Sequence, residues 1–205
     1  MKELFKEIRS EEIERIIQDY PLASIVVNTA SGLYATHVPL KFKQDQTLFG
    51  HIALENQLYT HVNEGQEVLC IFKGEDAYVS ANDYPSKFVD HRKVPTWNYQ
   101  VVHVHGKIKF LTDTKIKLAA LGRLTKSMEE KTNGNAAWKM SDAPKDYLME
   151  MLEKIVVLEI EISRIEAQSK LSQNREKKDF DGVIHALSQR GENQMVESML
   201  RLNRE

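Results

Sequence analysis

Between Val156 and Ser163 the chain alternates residue by residue: Val156, Leu158, Ile160 and Ile162 fall on one parity, with Val157, Glu159, Glu161 and Ser163 on the other. Successive side chains of a β-strand point to opposite faces, so this pattern predicts a strand with a core on one side and water on the other. A second stretch repeats the logic. Val102, Val104, Ile108 and Phe110 share one face, while His103, His105, Lys107 and Lys109 share the other. A chain with two such strands must fold around a sheet.

The rest of the sequence supplies that sheet with partners. Ser10, followed by Glu11 and Glu12, can cap a helix whose apolar face is Ile13, Ile16, Ile17 and Tyr20, and Pro21 ends it. Ile25 to Val27 and Leu33 to Leu40 read as strands joined around Ala30-Ser31-Gly32, and Thr47 to Ala53 reads as another. A short helix around Glu55 to Val62 is stopped by Asn63-Glu64-Gly65. Two further strands, Val68 to Phe72 and Ala77 to Ser80, precede a loop from Ala81 to Pro95. Thr112 to Lys131 predicts a helix burying Ile116, Leu121, Leu124 and Met128, and Asp146 to Lys154 predicts a second. From Asp179 to Leu202 two short helices are broken at Arg190-Gly191. Strands that do not alternate strictly with helices point to an antiparallel barrel or sandwich with attached helices, not a parallel nucleotide-binding sheet. At 205 residues, one domain can bury its own core.

Composition excludes several classes of function. The formal net charge is -2, which provides no overall positive field for a phosphate backbone or an anionic membrane. Cys70 is the single cysteine, so no intrachain disulfide forms, and the run Val68-Leu69-Cys70-Ile71-Phe72 reads it as a core thiol. The N-terminal residues lack the apolar run of a signal peptide, and no stretch approaches the ~18 apolar residues of a membrane span, so the cytoplasm is expected. The chain has no G-x-G-x-x-G, no Walker-type phosphate loop and no G-x-S-x-G elbow. A ligand-binding regulator is expected ahead of a hydrolase or metalloenzyme.

Two segments concentrate polar chemistry. Tyr84-Pro85-Ser86-Lys87 through Val94-Pro95-Thr96-Trp97-Asn98-Tyr99 brings rings and donors into one loop and strand start. Lys87 suits a phosphate, Trp97 or Tyr99 a flat ring and Asn98 its edge; the alternative is a packed loop shaped by Pro85 and Pro95. Lys170-Leu171-Ser172-Gln173-Asn174-Arg175 suits an anion, or equally a solvated turn. His103 and His105 share a strand face, but no carboxylate or cysteine joins them at metal-ligand spacing, and no metal is expected. Ile184-His185-Ala186-Leu187 and Met195 to Leu200 imitate a helix-turn-helix. The second helix, however, opens Glu192-Asn193-Gln194 and carries Glu197, which favours a hairpin packed on the barrel or on a partner subunit.

Thr36-His37-Val38-Pro39-Leu40, Gly50-His51-Ile52-Ala53 with Asn56, the two polar segments and Ser141-Asp142-Ala143-Pro144 stand in one order along nearly the whole chain. In these motifs the sequence resembles the PaiB-like family of FMN-binding negative transcriptional regulators, also described as protease synthase and sporulation negative regulatory proteins. The resemblance implies an α+β fold: a split β-barrel of the FMN-binding type over residues 1–175, with peripheral helices and a C-terminal helical hairpin over 176–205. It also implies a homodimer with flavin in the cleft between subunits. By the same resemblance His37, Asn56, Lys87, Trp97, Asn98, Lys170, Ser172, Gln173 and Arg175 form the flavin pocket. Lys170 and Arg175 would serve the phosphate, and Trp97 and Asn98 the ring. The oxidase relatives carry a basic pair after their third strand, where this chain has Glu55-Asn56-Gln57. The implied role is repression of protease production and sporulation, with DNA contact indirect. The alternatives are an FMN-dependent oxidoreductase, a haem-binding split barrel, and a ligand-free dimeric scaffold.

Overall fold

Both alternating runs form strands, and both extend well beyond the pattern that announced them. The structure, a computed structural model, describes residues 3–43 and 46–202. Its strands are β1 (Leu22–Thr29), β2 (Gly32–Pro39), β3 (Lys41–Lys43), β4 (Thr47–Ala53), β5 (Glu67–Val79), β6 (Thr96–Leu111) and β7 (Ile155–Lys170). Its helices are α1 (Ser10–Asp19), α2 (Gln57–His61), α3 (Lys87–Asp90), α4 (Thr114–Asn133), α5 (Lys145–Glu153), α6 (Lys177–Gln189) and α7 (Asn193–Leu200), with short 3-10 turns between some of them. The hydrogen-bonded order is β2-β1-β5-β6-β7-β4-β3, an antiparallel sheet that does not close on itself by hydrogen bonds among the described residues.

The two strands expected at Val68 to Phe72 and Ala77 to Ser80 are one continuous strand, β5. Lys73-Gly74-Glu75-Asp76 has the composition of a turn. The chain nevertheless stays extended through it, because Gly74 is where the Gln100 side chain and Ile16 come close: a Cβ built on Gly74 would lie 3.2 Å from Gln100 Cβ and 3.5 Å from Ile16 Cγ2.

The chain divides into two compact units, which β5, β6 and β7 connect by running from one into the other. The first contains the residues up to Asp19, Lys73–Val102, and those from Glu166 onward. Its core gathers Val79, Tyr84, Leu171, Phe180, Val183, Leu187, Met195 and Met199. The C-terminal hairpin therefore packs on the ends of β5 and β7 through the apolar stripes of α6 and α7. Gly182 makes this approach close, since a Cβ there would lie 2.4 Å from Pro85 Cδ and 2.6 Å from the Asp83 carbonyl oxygen.

The second unit contains Tyr20–Phe72 and His103–Ile165. Here Gly50 of β4 lies against the end of β2: an added Cβ would meet the Pro39 carbonyl oxygen at 2.6 Å. Asp113 caps α4 by accepting from the Lys115 and Ile116 amides at 2.9 and 3.1 Å. The buried stripe of α4 differs from the expected one. Lys117, Ala120 and Leu124 are buried, whereas Ile116 is exposed. Lys117 succeeds there because its Nζ donates to the Leu152 carbonyl at 2.9 Å. Ala120 and Leu124 pack on Phe49 and Val157, so Val157, expected on the solvent parity, is buried under α4.

Candidate functional site

The first unit contains most of the polar residues singled out in the sequence. Its loop after β5 is built by local capping: the Ser80 amide donates to Asp83 Oδ2 at 2.9 Å and the Asn82 amide donates to Ser80 Oγ at 3.1 Å. Tyr84 then enters the core, fully buried. Ser86 turns the chain into α3, and both its amide and its hydroxyl donate to the Asp179 carboxylate, at 3.0 and 2.6 Å. Burial alone would raise the Asp179 pKa. Those two hydrogen bonds and the charges of Lys93 and Arg175 outweigh it and hold the carboxyl below its ordinary value. α3 ends at His91, which adopts the left-handed region at φ 55°.

From this frame the candidates can be placed individually. Lys170 ends β7 and its Nζ donates to Thr96 Oγ1 at the start of β6, which brings the ammonium beside the backbone of Trp97. Trp97 is exposed and meets Tyr78 edge-on, with ring centroids 5.8 Å apart. Arg175 lies with its guanidinium carbon 4.6 Å from the centroid of the Tyr84 ring. Lys87 adjoins the same tyrosine: its amide donates to the Tyr84 carbonyl at 3.0 Å, and its Nζ donates to Asn82 Oδ1.

Asn98 and Ser172 occupy internal positions, and Gln173 is half-buried. Asn98 and Ser172 are both buried; the Ser172 hydroxyl donates to Asn98 Oδ1 at 3.1 Å and Asn98 Nδ2 donates to Met199 Sδ at 3.7 Å. Ser172 holds φ 62°, a strained value for a residue with a Cβ, and this bond helps maintain it. Gln173 closes the turn after β7 by accepting from the Leu171 amide at 2.7 Å and donating to the Ser169 carbonyl at 2.6 Å. The turn thus presents Lys170 and Arg175 on a rigid support.

His37 and Asn56 belong to the second unit. Asn56 caps α2, accepting from the Leu58 amide at 2.9 Å, and its Nδ2 donates to Thr36 Oγ1 at 3.3 Å, one residue from the exposed His37. The bonds of Asn56 secure the end of β4 and the β2 strand in their places.

Sequence reading missed the residues that hold this frame: Asp83, Asp179 and Arg190. Arg190 donates to Asp83 at 3.1 and 3.0 Å and to the Tyr78 carbonyl at 3.1 Å. Asp83 alone carried a local signal, standing three residues after the capping serine. Among the described residues no group of three or more His, Cys, Asp or Glu side chains is arranged to hold a metal ion. No helix among them is long and apolar enough to cross a membrane.

Comparison with known proteins matches this arrangement to one family. The family profile described as "Putative FMN-binding domain" matches residues 1–164. Protease synthase and sporulation protein PAI 2 of Bacillus subtilis is 34% identical over 201 residues, spanning 97% of this chain and 93% of that protein. An uncharacterized protein of Emericella nidulans is 28% identical, with 87% of this chain and 86% of the other covered. Among solved structures, a flavocytochrome from Azotobacter vinelandii superposes with a TM-score of 0.60 at 14% identity, over 87% of this chain and 75% of its own. An FAD- and haem-binding protein from Mycobacterium smegmatis gives 0.59 at 14% identity, over 80% of this chain and 73% of its own. The structural matches establish the fold as that of the split barrels. With the profile over most of its length and the Bacillus relative over nearly all of it, the chain belongs to the PaiB-like family of FMN-binding-domain proteins.

Proposed function

We propose that this protein is a PaiB-like regulator that binds FMN at the surface carrying Trp97, Lys170 and Arg175, and that it lowers protease production and sporulation as a homodimer. The observation that carries the flavin reading is the Lys170–Thr96 hydrogen bond, which fixes a cation at the start of β6, one residue before the exposed Trp97. A flavin mononucleotide needs those two things, a charge for its phosphate and an aromatic face for its isoalloxazine. Arg175 and Lys87, both adjoining Tyr84, add positive charge on the same unit. Asn98, Ser172 and Gln173 act in this reading as the internal support of Lys170 and Arg175.

The chemistry that FMN supplies when bound is one- and two-electron transfer at the isoalloxazine. The residues of this chain would hold the phosphate, present a face to the ring and keep the turn rigid. In this reading the protein senses its flavin, and DNA is reached through another protein. The Mycobacterium and Azotobacter structures make haem the second ligand to test, since the former is described as binding FAD and haem and the latter is a flavocytochrome.

The deciding experiment titrates the purified protein with FMN while following flavin fluorescence and molecular mass, on the wild type and on Lys170→Ala combined with Arg175→Ala. Saturable binding by a dimer, lost in the double variant, supports the reading. Absence of binding at tens of micromolar rejects flavin, and a Soret band on titration with haemin then identifies haem. Oxidation of NAD(P)H by the flavin-loaded protein would favour the oxidoreductase.

A further inference from the structure

The second unit carries a cleft of about 360 Å³ whose lining includes none of the residues assigned to the flavin. It is lined from β1, β2, β5, β6 and β7, and its chemistry changes along that path. Val26, Leu33 and Leu69 contribute apolar side chains, Glu67 a carboxylate, and His105, Ser163 and Arg164 a polar end. Leu33 is among the most exposed large apolar residues described.

The polar end is held by its own hydrogen bonds. The Ser163 hydroxyl donates to the His105 carbonyl at 3.2 Å. Arg164 Nη2 lies 3.1 Å from His105 Nε2. A guanidinium only donates, so Nε2 accepts and the ring proton sits on Nδ1. The imidazole therefore steers the planar fork of Arg164, a group whose geometry matches a carboxylate. Behind it β6 and β7 are in close contact, since a Cβ on Gly106 would lie 2.4 Å from the Glu161 carbonyl oxygen. The wall carrying Arg164 is consequently rigid.

Glu67 gives the cleft its second charge. In the order β5-β6-β7 its strand lies on the far side of β6 from that of Arg164. Both residues line the one cleft, so a ligand with a carboxylate and an ammonium finds an opposite charge for each group. A simple anion would meet Glu67 unfavourably, and a simple cation would meet Arg164 unfavourably. The apolar end at Leu33 and Leu69 accommodates a hydrocarbon side chain.

We propose that this cleft binds a small zwitterion of the amino-acid class, its carboxylate on Arg164, its ammonium on Glu67 and an apolar side chain over Leu33 and Leu69. The protein would then respond to an amino acid through one unit and to its flavin through residues of the other.

Isothermal calorimetry on the full chain with L-leucine, 4-methylpentanoate and 3-methylbutylamine tests this, since the last two each lack one charge. L-leucine should bind in a saturable manner and the other two about tenfold or more weakly. Glu67→Gln and Arg164→Gln should each weaken L-leucine by about tenfold or more, with circular dichroism unchanged because both residues are exposed. Trp97→Leu, on the other unit, should leave L-leucine affinity unaltered. The proposal is overturned if L-leucine fails to bind at millimolar concentration, if either analogue binds as well as L-leucine, or if both variants keep wild-type affinity.

Discussion

The carboxylate of Asp179 receives both the amide and the hydroxyl of Ser86, at 3.0 and 2.6 Å, across 93 residues of sequence. This pair fastens helix α6 to the loop that carries Lys87, so the C-terminal hairpin determines where one of the candidate cations stands. Replacing Asp179 with Ala leaves two donors without their acceptor and should lower stability by about 1–3 kcal/mol. Urea denaturation measures the loss, and Lys87 should become more accessible to amine-modifying reagents in the variant.

Glu12 lies buried among donors. Arg15 donates to it at 3.0 and 2.8 Å and Gln100 at 2.8 Å. Burial raises its pKa, but these hydrogen bonds and the charges of Arg15 and Arg201 outweigh burial and bring it below the ordinary 4.5. Glu7 shows the same balance, with Arg9 and Ser169 as its hydrogen-bond partners. A carboxyl with a depressed folded-state pKa contributes stability that is complete above its unfolded value and is lost as pH falls through the folded one. Stability should therefore fall as pH drops below about 4.5, and Glu12→Gln should flatten that fall in a series of urea melts at decreasing pH.

Gly182→Ala should be severe although alanine favours helices. The added Cβ would lie 2.4 Å from Pro85 Cδ and 2.6 Å from the Asp83 carbonyl oxygen. Neither atom belongs to a flexible side-chain end, so α6 must lift from the loop, at a cost of about 3 kcal/mol. A lower midpoint of thermal unfolding is expected, accompanied by weaker FMN binding if the loop carries the pocket.

Cys70 is fully buried on β5 and burial pushes its thiol up to about 12. At pH 8 it stays protonated, and it should not react with a thiol reagent such as dithionitrobenzoate until the protein unfolds. Rapid labelling of the native protein would contradict the placement of Cys70 in the core.

Trp97 is an exposed ring of the candidate surface. If FMN stacks there, Trp97 emission should be quenched on titration, and Trp97→Leu should weaken binding by about 1 kcal/mol. An unchanged affinity would place the isoalloxazine elsewhere.

Local patterning made much of this fold legible. The period-two runs of β6 and β7, the apolar stripe of α1 and the break at Arg190-Gly191 are read from neighbouring residues, and each lies where the sequence placed it. Sequence reading failed where distant chain segments overruled local composition. Lys73-Gly74-Glu75-Asp76 has the residues of a turn and is a strand, because Ile16 and Gln100 close on Gly74. Lys117 has the residue type of a solvent face and is buried, because the Leu152 carbonyl awaits its ammonium.

The candidate site divides along the same line. The sequence by itself determined which residue types were available: two cations flanking a polar turn, and a tryptophan at the start of a strand. Only the tertiary structure decided their roles. It turned Asn98 and Ser172 inward, set Gln173 to bond the backbone of its own turn, and left Trp97 exposed, with Lys170 half-buried against Thr96. For Asn98, Ser172 and Lys170 the role depends on partners roughly 70 to 100 residues away in the chain. Those partners are chosen by packing, and packing is a property of the folded whole that no window of sequence contains.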